Sequence, residues 1–202
     1  DLLALGAALL ALVATMLARA AACPRAPVPG KLDGFRLDAY AGAEERLAAL
    51  IRVPTVSRFE PAKEDDVAFA RLKAEARRLY PLAASRLLLS EPGDRAMLFE
   101  WPGSDASLEP VILTAHFDVV PPGDEEAWAR PPFSGDIADG YVHGRGAQDV
   151  KIMMAAALEA VERLLGSGFV PRRTVFLAFG GDEETGGVRG AAGAGEQPHE
   201  HD

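Results

Sequence analysis

"RRTVFLAFGGDEETGG" (Arg172–Gly187) sets both the fold and the chemistry of this chain. Its first half is a short apolar run bounded by arginines and glycines, which reads as a buried strand. Its second half places three adjacent carboxylates, Asp182, Glu183 and Glu184, directly after that strand. Carboxylates at the mouth of a buried strand are costly unless something positive meets them. Upstream, "PVILTAHFDVV" (Pro110–Val120) is a second short apolar run, rich in β-branched residues and consistent with a strand buried on both faces. Between the two runs, "SGDIADGYVHGRGAQD" (Ser134–Asp149) carries a hairpin signal with Asp139-Gly140 as its turn. Val150, Met153, Met154, Ala157, Leu158, Val161, Leu164 and Leu165 then recur with helical spacing up to about Gly166. The methionine pair reads as core packing. Strand, hairpin, helix, strand predicts an α/β sandwich with a largely parallel central sheet flanked by helices.

Further upstream, "AGAEERLAALIRVP" (Ala41–Pro54) reads as a short amphipathic helix ended by its proline. "EDDVAFARLKAEARRLYP" (Glu64–Pro81) reads as another, acidic in its first turn and basic in its last, as the helix dipole prefers. "SRLLLSE" (Ser85–Glu91) and "RAMLFEWPG" (Arg95–Gly103) read as strands, the second closed by Pro102-Gly103. No internal repeat is visible.

The 202 residues are 49% apolar and 25% charged, an ordinary globular balance with enough chain for one substantial core. A net charge of −9 argues against a nucleic-acid partner, because no basic stripe is present. A single cysteine, Cys23, excludes an internal disulfide framework and a cysteine-rich zinc site. Residues 1–22 are apolar except for the terminal Asp1 and Arg19, and they read as a cleaved signal peptide or a membrane anchor. A lipobox ending at Cys23 is a third reading; a buried core helix is a fourth, without the polar stripe it would need. The expectation is an exported or membrane-anchored protein. Residues 23–40 read as a linker, 41–192 as the globular part and 193–202 as a disordered tail.

Three groups follow strands or turns: His116 and Asp118, then Asp149, then Asp182, Glu183 and Glu184. In open α/β sheets ligand sites gather at the carboxyl ends of strands, so groups this far apart in sequence can converge. His116 and Asp118, two apart on an extended segment, point to the same face. Asp118 can therefore hold one imidazole nitrogen while the other binds a metal. Asp149 can bridge two cations, or it can simply cap the helix it precedes. Of the two glutamates, one suits a metal and the other a general base acting on water. A metal would be the positive partner that the carboxylates need.

"IRVPTVS" (Ile51–Ser57), "TAHFDVVPPG" (Thr114–Gly123), "WARPPFSGDIADGYVHGRGAQDVK" (Trp128–Lys151) and "PRRTVFLAFGGDEETGG" (Pro171–Gly187) together resemble the zinc aminoacylase and carboxypeptidase family of ArgE/DapE, carboxypeptidase-S and Gly-Xaa carboxypeptidase relatives. The likeness runs from about Leu47 to Gly190. It implies a zinc-peptidase-like catalytic domain of which residues 41–192 are the N-terminal portion. It implies two zinc ions: His116 on the first, Glu184 on the second and Asp149 bridging both, with Asp118 steadying His116 and Glu183 as catalytic base. It also implies a cis peptide at Asp149–Val150 and hydrolysis of N-acyl amino acids or short peptides with a free carboxylate. His143 falls where many relatives carry an aromatic residue and reads as a neutral variation.

The family pattern adds a carboxylate ligand some two dozen residues after the glutamate pair, a distant histidine, and a lid domain that supplies dimer contacts. Those parts are not in this sequence. His199, His201 and Asp202 stand too near Glu184 to replace them. The expectation is an incomplete, truncated catalytic domain, with dimerisation open only to a complete chain. The alternative is a non-catalytic, membrane-tethered fragment of such an enzyme.

Overall fold

α5 (Lys151–Gly166) carries the chain from β3 (Val111–His116) to β6 (Val175–Gly180), and the two strands lie side by side in parallel, with His116 opposite Gly180. A helical crossover between neighbouring strands produces this parallel pairing. A computed structural model of the chain describes residues 2–23 and 40–190. It divides the chain into two units, Asp1–Leu37 and Asp38–Asp202.

In the second unit β1 (Leu88–Ser90), β2 (Ala96–Trp101), β6 and β3 form one sheet in that order. The α/β class holds, with helices flanking a central sheet. The largely parallel sheet does not: β1–β2 and β2–β6 are antiparallel, and only β3–β6 is parallel. The short connection from β1 to β2 permits a hairpin-like return and nothing else. The Asp139-Gly140 hairpin is present as β4 (Ile137–Ala138) and β5 (Tyr141–Val142), with φ 55° at Asp139 and 82° at Gly140. A two-residue turn of this hand needs positive φ at both positions.

Met97, Phe99 and Trp101 alternate along β2 toward one face, and Leu177 and Phe179 of β6 share it. Onto that face pack α2 (Ala43–Ile51), α3 (Asp66–Leu79), α4 (Pro81–Arg86) and α5, contributing Leu50, Ile51, Phe69, Leu72, Met154 and Leu158 to the core. Each such side chain contributes about 1.5–3 kcal/mol on full burial. α3 is fixed at its start by Asp65, whose carboxylate accepts the N–H groups of Val67 and Ala68 at 3.1 and 3.3 Å. Of the methionine pair only Met154 is core; Met153 is exposed, one residue round the helix.

β3 is not buried on both faces. It is the edge of the sheet, and Val111, Ile112 and Leu113 are exposed, Ile112 to 60%. Its β-branched residues fit a pleated, half-buried surface as well as a fully covered one, so their run does not report how many faces are covered. The face away from the helices, carrying Ile112, Thr114, His116 and Ala178, opens into a cavity of about 610 Å³.

The first unit contains α1 (Leu2–Ala22), whose leucines from Leu3 to Leu17 are exposed and which is long and apolar enough to cross a membrane. The linker beyond Cys23 and the tail with His199, His201 and Asp202 lie outside the described residues.

Candidate metal centre

His116 ends β3, and parallel register sets it beside Gly180, the last residue of β6. The chain then turns through Gly181 and Asp182 into a single 3-10 turn, Glu183–Thr185. His116, Glu183 and Glu184 each present a donor atom, and the three atoms lie within 4.8 Å of one another. The glutamates do not start an α-helix, so they are not merely the acidic first turn of one.

Asp118 lies behind this cluster, fully buried. Its Oδ1 stands 3.3 Å from His116 Nδ1 and accepts the Glu183 N–H at 3.2 Å. Its Oδ2 accepts the Glu184 N–H at 3.1 Å and the Ser57 hydroxyl at 2.6 Å. Burial pushes the Asp118 carboxyl up, but hydrogen bonds from His116, Ser57 and Glu184 outweigh it and hold the group below the usual carboxylate range. The same pairing with Asp118 raises His116 to about 9 in the metal-free chain, against the opposing effect of burial.

Asp149 brings Oδ1 to 3.2 Å from His116 Nε2 and is itself 77% exposed. It does not cap α5, whose N-cap position is Val150 and carries no side-chain cap bond. The carboxylate is therefore free of helix duty and faces the site. It lies outside the tight three-residue cluster. The Asp149–Val150 peptide is cis.

The donors fit divalent cations. His116 offers an imidazole and Glu184 and Asp149 carboxylates, with Glu183 beside them, and these are the ligand types zinc takes in mixed nitrogen and oxygen sites. Burial, followed by the charges of Asp149, Asp118 and Glu183, raises Glu184 above its ordinary range despite the opposing His116. A cation relieves that repulsion.

Several supports were not visible as such in the sequence. Asp182, read as one of the acidic group, is buried and accepts the Arg189 N–H at 2.6 Å, which closes the turn at the wall of the same cavity. Arg95 is buried between Glu64 and Asp66, with its guanidinium 3.9 Å over Phe69, and its carbonyl accepts the Gly181 N–H at 2.7 Å. Lys151, at the start of α5, is wholly buried and donates to Leu50 O at 3.0 Å and Val53 O at 2.6 Å. Burial lowers its ammonium to about 7, opposed by the Asp118 charge. His143 stays in the hairpin, its Nε2 3.3 Å from Ala138 O.

Residues 112–201 match Peptidase family M20/M25/M40. The chain is 37% identical over 165 residues to a protein of Dictyostelium discoideum named probable carboxypeptidase S-like 2, covering 81% of this chain and 32% of that one. It is 41% identical over 150 residues to the Bos taurus N-fatty-acyl-amino acid synthase/hydrolase PM20D1, covering 73% and 29%. The crystal structure of an M20 family metallo-carboxypeptidase from Sulfolobus solfataricus superposes with a TM-score of 0.55 at 25% identity, covering 70% of this chain and 31% of that one. The chain thus spans about a third of the length of the relatives it matches. The site's geometry and these likenesses agree: residues 112–201 match Peptidase family M20/M25/M40, and the chain corresponds to part of the catalytic domain of its carboxypeptidase and hydrolase relatives.

Proposed function

We propose that the site serves hydrolysis of the amide bond of N-acyl amino acids or short peptides, with two zinc ions as cofactors. The observation that carries this reading is the meeting of His116, Glu183 and Glu184 from the ends of two parallel strands, with Asp118 behind them. The names of the relatives, a carboxypeptidase and an N-acyl amino acid hydrolase, point to the same bond type.

In this reading His116 and Glu184 would each hold one of the ions, and Asp149, exposed beside His116, would be shared between them. When bound, the cations supply electrophilic polarisation of the scissile carbonyl and acidify water. Glu183 takes the proton of the attacking water and returns it to the leaving nitrogen. Its carboxylate is exposed, on a turn whose N–H is pinned by Asp118, so it is free to trade protons while its backbone stays put. Asp118 fixes the imidazole through Nδ1 and leaves Nε2 for the metal. The residues past this part of the domain would complete the ligand sets. α1, long and apolar enough to cross a membrane, supports a signal sequence or anchor and with it an exported or membrane-attached setting.

The test combines metal uptake with turnover. Equilibrium dialysis should load the chain with zinc, and Glu183→Gln should keep that zinc. Amine release from N-acyl amino acids and dipeptides, where the zinc-loaded chain shows it, should vanish in Glu183→Gln. A chain that binds zinc only weakly and releases no amine is the non-catalytic, membrane-tethered fragment instead.

A further inference from the structure

The segment Val53–Ser57, drawn from "IRVPTVS", has no part in the chemistry above, yet it is stitched along the extension of β3. Val119 N–H donates to Thr55 O at 2.9 Å and Ser57 N–H to Val119 O at 3.1 Å, as a parallel bridge between Val56 and Val119. Thr55 Oγ1 donates to Phe117 O, and the Val53 carbonyl is held from the other side by the Lys151 ammonium. This stitching delivers one buried hydroxyl, Ser57 Oγ, to Asp118 Oδ2 at 2.6 Å.

We propose that Ser57 is a positioning residue of the metal centre: its hydroxyl sets the rotation of the Asp118 carboxylate, and through it the His116 ring and the Glu183–Glu184 turn. Asp118 has four neighbours to serve with two oxygens. The Glu183 N–H bonds Oδ1, which also stands 3.3 Å from His116 Nδ1, a nitrogen that lies 3.2 Å from the Asp118 main-chain carbonyl as well; the Glu184 N–H and Ser57 share Oδ2. Removing the Ser57 donor leaves Oδ2 with one partner and lets the carboxylate plane turn. A short hydrogen bond to a buried carboxylate is charge-assisted and among the stronger ones. Partners one step removed from a metal typically alter metal affinity or activity by about 10–100-fold. The metal part of this inference rests on the hydrolase reading; the Ser57–Asp118–turn coupling does not.

The experiment uses the full chain in detergent micelles, as wild type, Ser57→Ala, Ser57→Cys and Thr55→Val. Thr55→Val removes an equally buried hydroxyl from the same segment without touching Asp118. In the metal-free chain, hydrogen exchange of the Glu183 and Glu184 amides should quicken about tenfold or more in Ser57→Ala and less in Ser57→Cys, a weaker donor, and hold steady in Thr55→Val. With Co(II), Ser57→Ala should bind about 10–100-fold more weakly and alter the d–d spectrum, whereas Thr55→Val should keep the wild-type spectrum. Equal effects of Ser57→Ala and Thr55→Val on exchange, or no effect of Ser57→Ala, overturn the positioning role whatever the metal does. If Ser57→Ala does not fold, the Ser57→Cys and Thr55→Val pair decides the same question. Should the wild type take up no metal while the exchange pattern holds, the hydrolase reading fails and the positioning role stands.

Discussion

Asp118 and Glu184 are 66 residues apart, and the carboxylate of the first accepts the main-chain N–H of the second at 3.1 Å. The residue that orients His116 therefore also holds the turn bearing the two glutamates. One buried anion ties both halves of the centre together.

Asp118→Asn replaces one accepting oxygen with an NH2 group that faces donors on either side. The expected cost is about 2–3 kcal/mol of stability in the metal-free chain, with zinc affinity lowered about 10–100-fold. Urea denaturation and chelator competition measure the two effects. Unchanged zinc affinity would detach Asp118 from the centre.

The His116–Asp118 pair also makes stability depend on pH in the metal-free chain. His116 is raised from an ordinary 6.5 to about 9, so the folded state holds its proton more tightly than the unfolded state. The pair's contribution is full below about pH 6.5 and is lost as pH rises through about 9. Asp118, held low, stays ionised throughout that window. The gap in urea midpoint between wild type and Asp118→Asn should therefore be larger at about pH 6 than at about pH 10. A gap that grows with pH would contradict the pairing.

Lys151 closes the end of α2 by donating to Leu50 O and Val53 O. Lys151→Met keeps the stem's bulk and removes both bonds, leaving Leu50 O with the Val53 N–H at 3.3 Å and Val53 O with the Thr55 N–H at 2.9 Å. At about 0.5–1.5 kcal/mol for each lost hydrogen bond, a loss of about 1–3 kcal/mol in chemical denaturation is expected. A neutral substitution would mean that water replaces the ammonium there.

Gly181 joins β6 to the glutamate turn, and a Cβ there would run into the Phe117 ring and the Arg95 carbonyl. Its backbone is not left-handed, so the reason for glycine is space rather than φ. Gly181→Ala should cost about 1–3 kcal/mol by overpacking. It should also weaken zinc binding, because relief of the clash moves the Asp182–Glu184 segment. Calorimetric unfolding and zinc titration on the same preparation test both effects.

The elements of the globular part were largely legible, because each announces itself locally: the Asp139-Gly140 turn, the α5 periodicity, the acidic first turn of α3. The grouping of His116, Asp118, Asp149, Glu183 and Glu184 was legible too, since each follows a strand or turn on one sheet edge. The sheet's mixed direction was not, because strand composition says nothing about which neighbour a strand chooses. The exposure of Ile112 was hidden for a related reason: β-branched residues suit a half-buried pleated surface as well as a doubly covered one. Ser57, Lys151 and Arg95 were missed because Ser, Lys and Arg are usually surface residues. Their burial depends on partners at Asp118, Val53 and Glu64, which only the fold brings near.

The sealed ammonium of Lys151 also gives the chain an internal clock for its own opening. Amine-acylating reagents reach a surface lysine such as Lys63 at once, but Lys151 only when α5 lifts from the end of α2. The ratio of the two labelling rates, read peptide by peptide, would time how often the floor beneath Asp149 gives way.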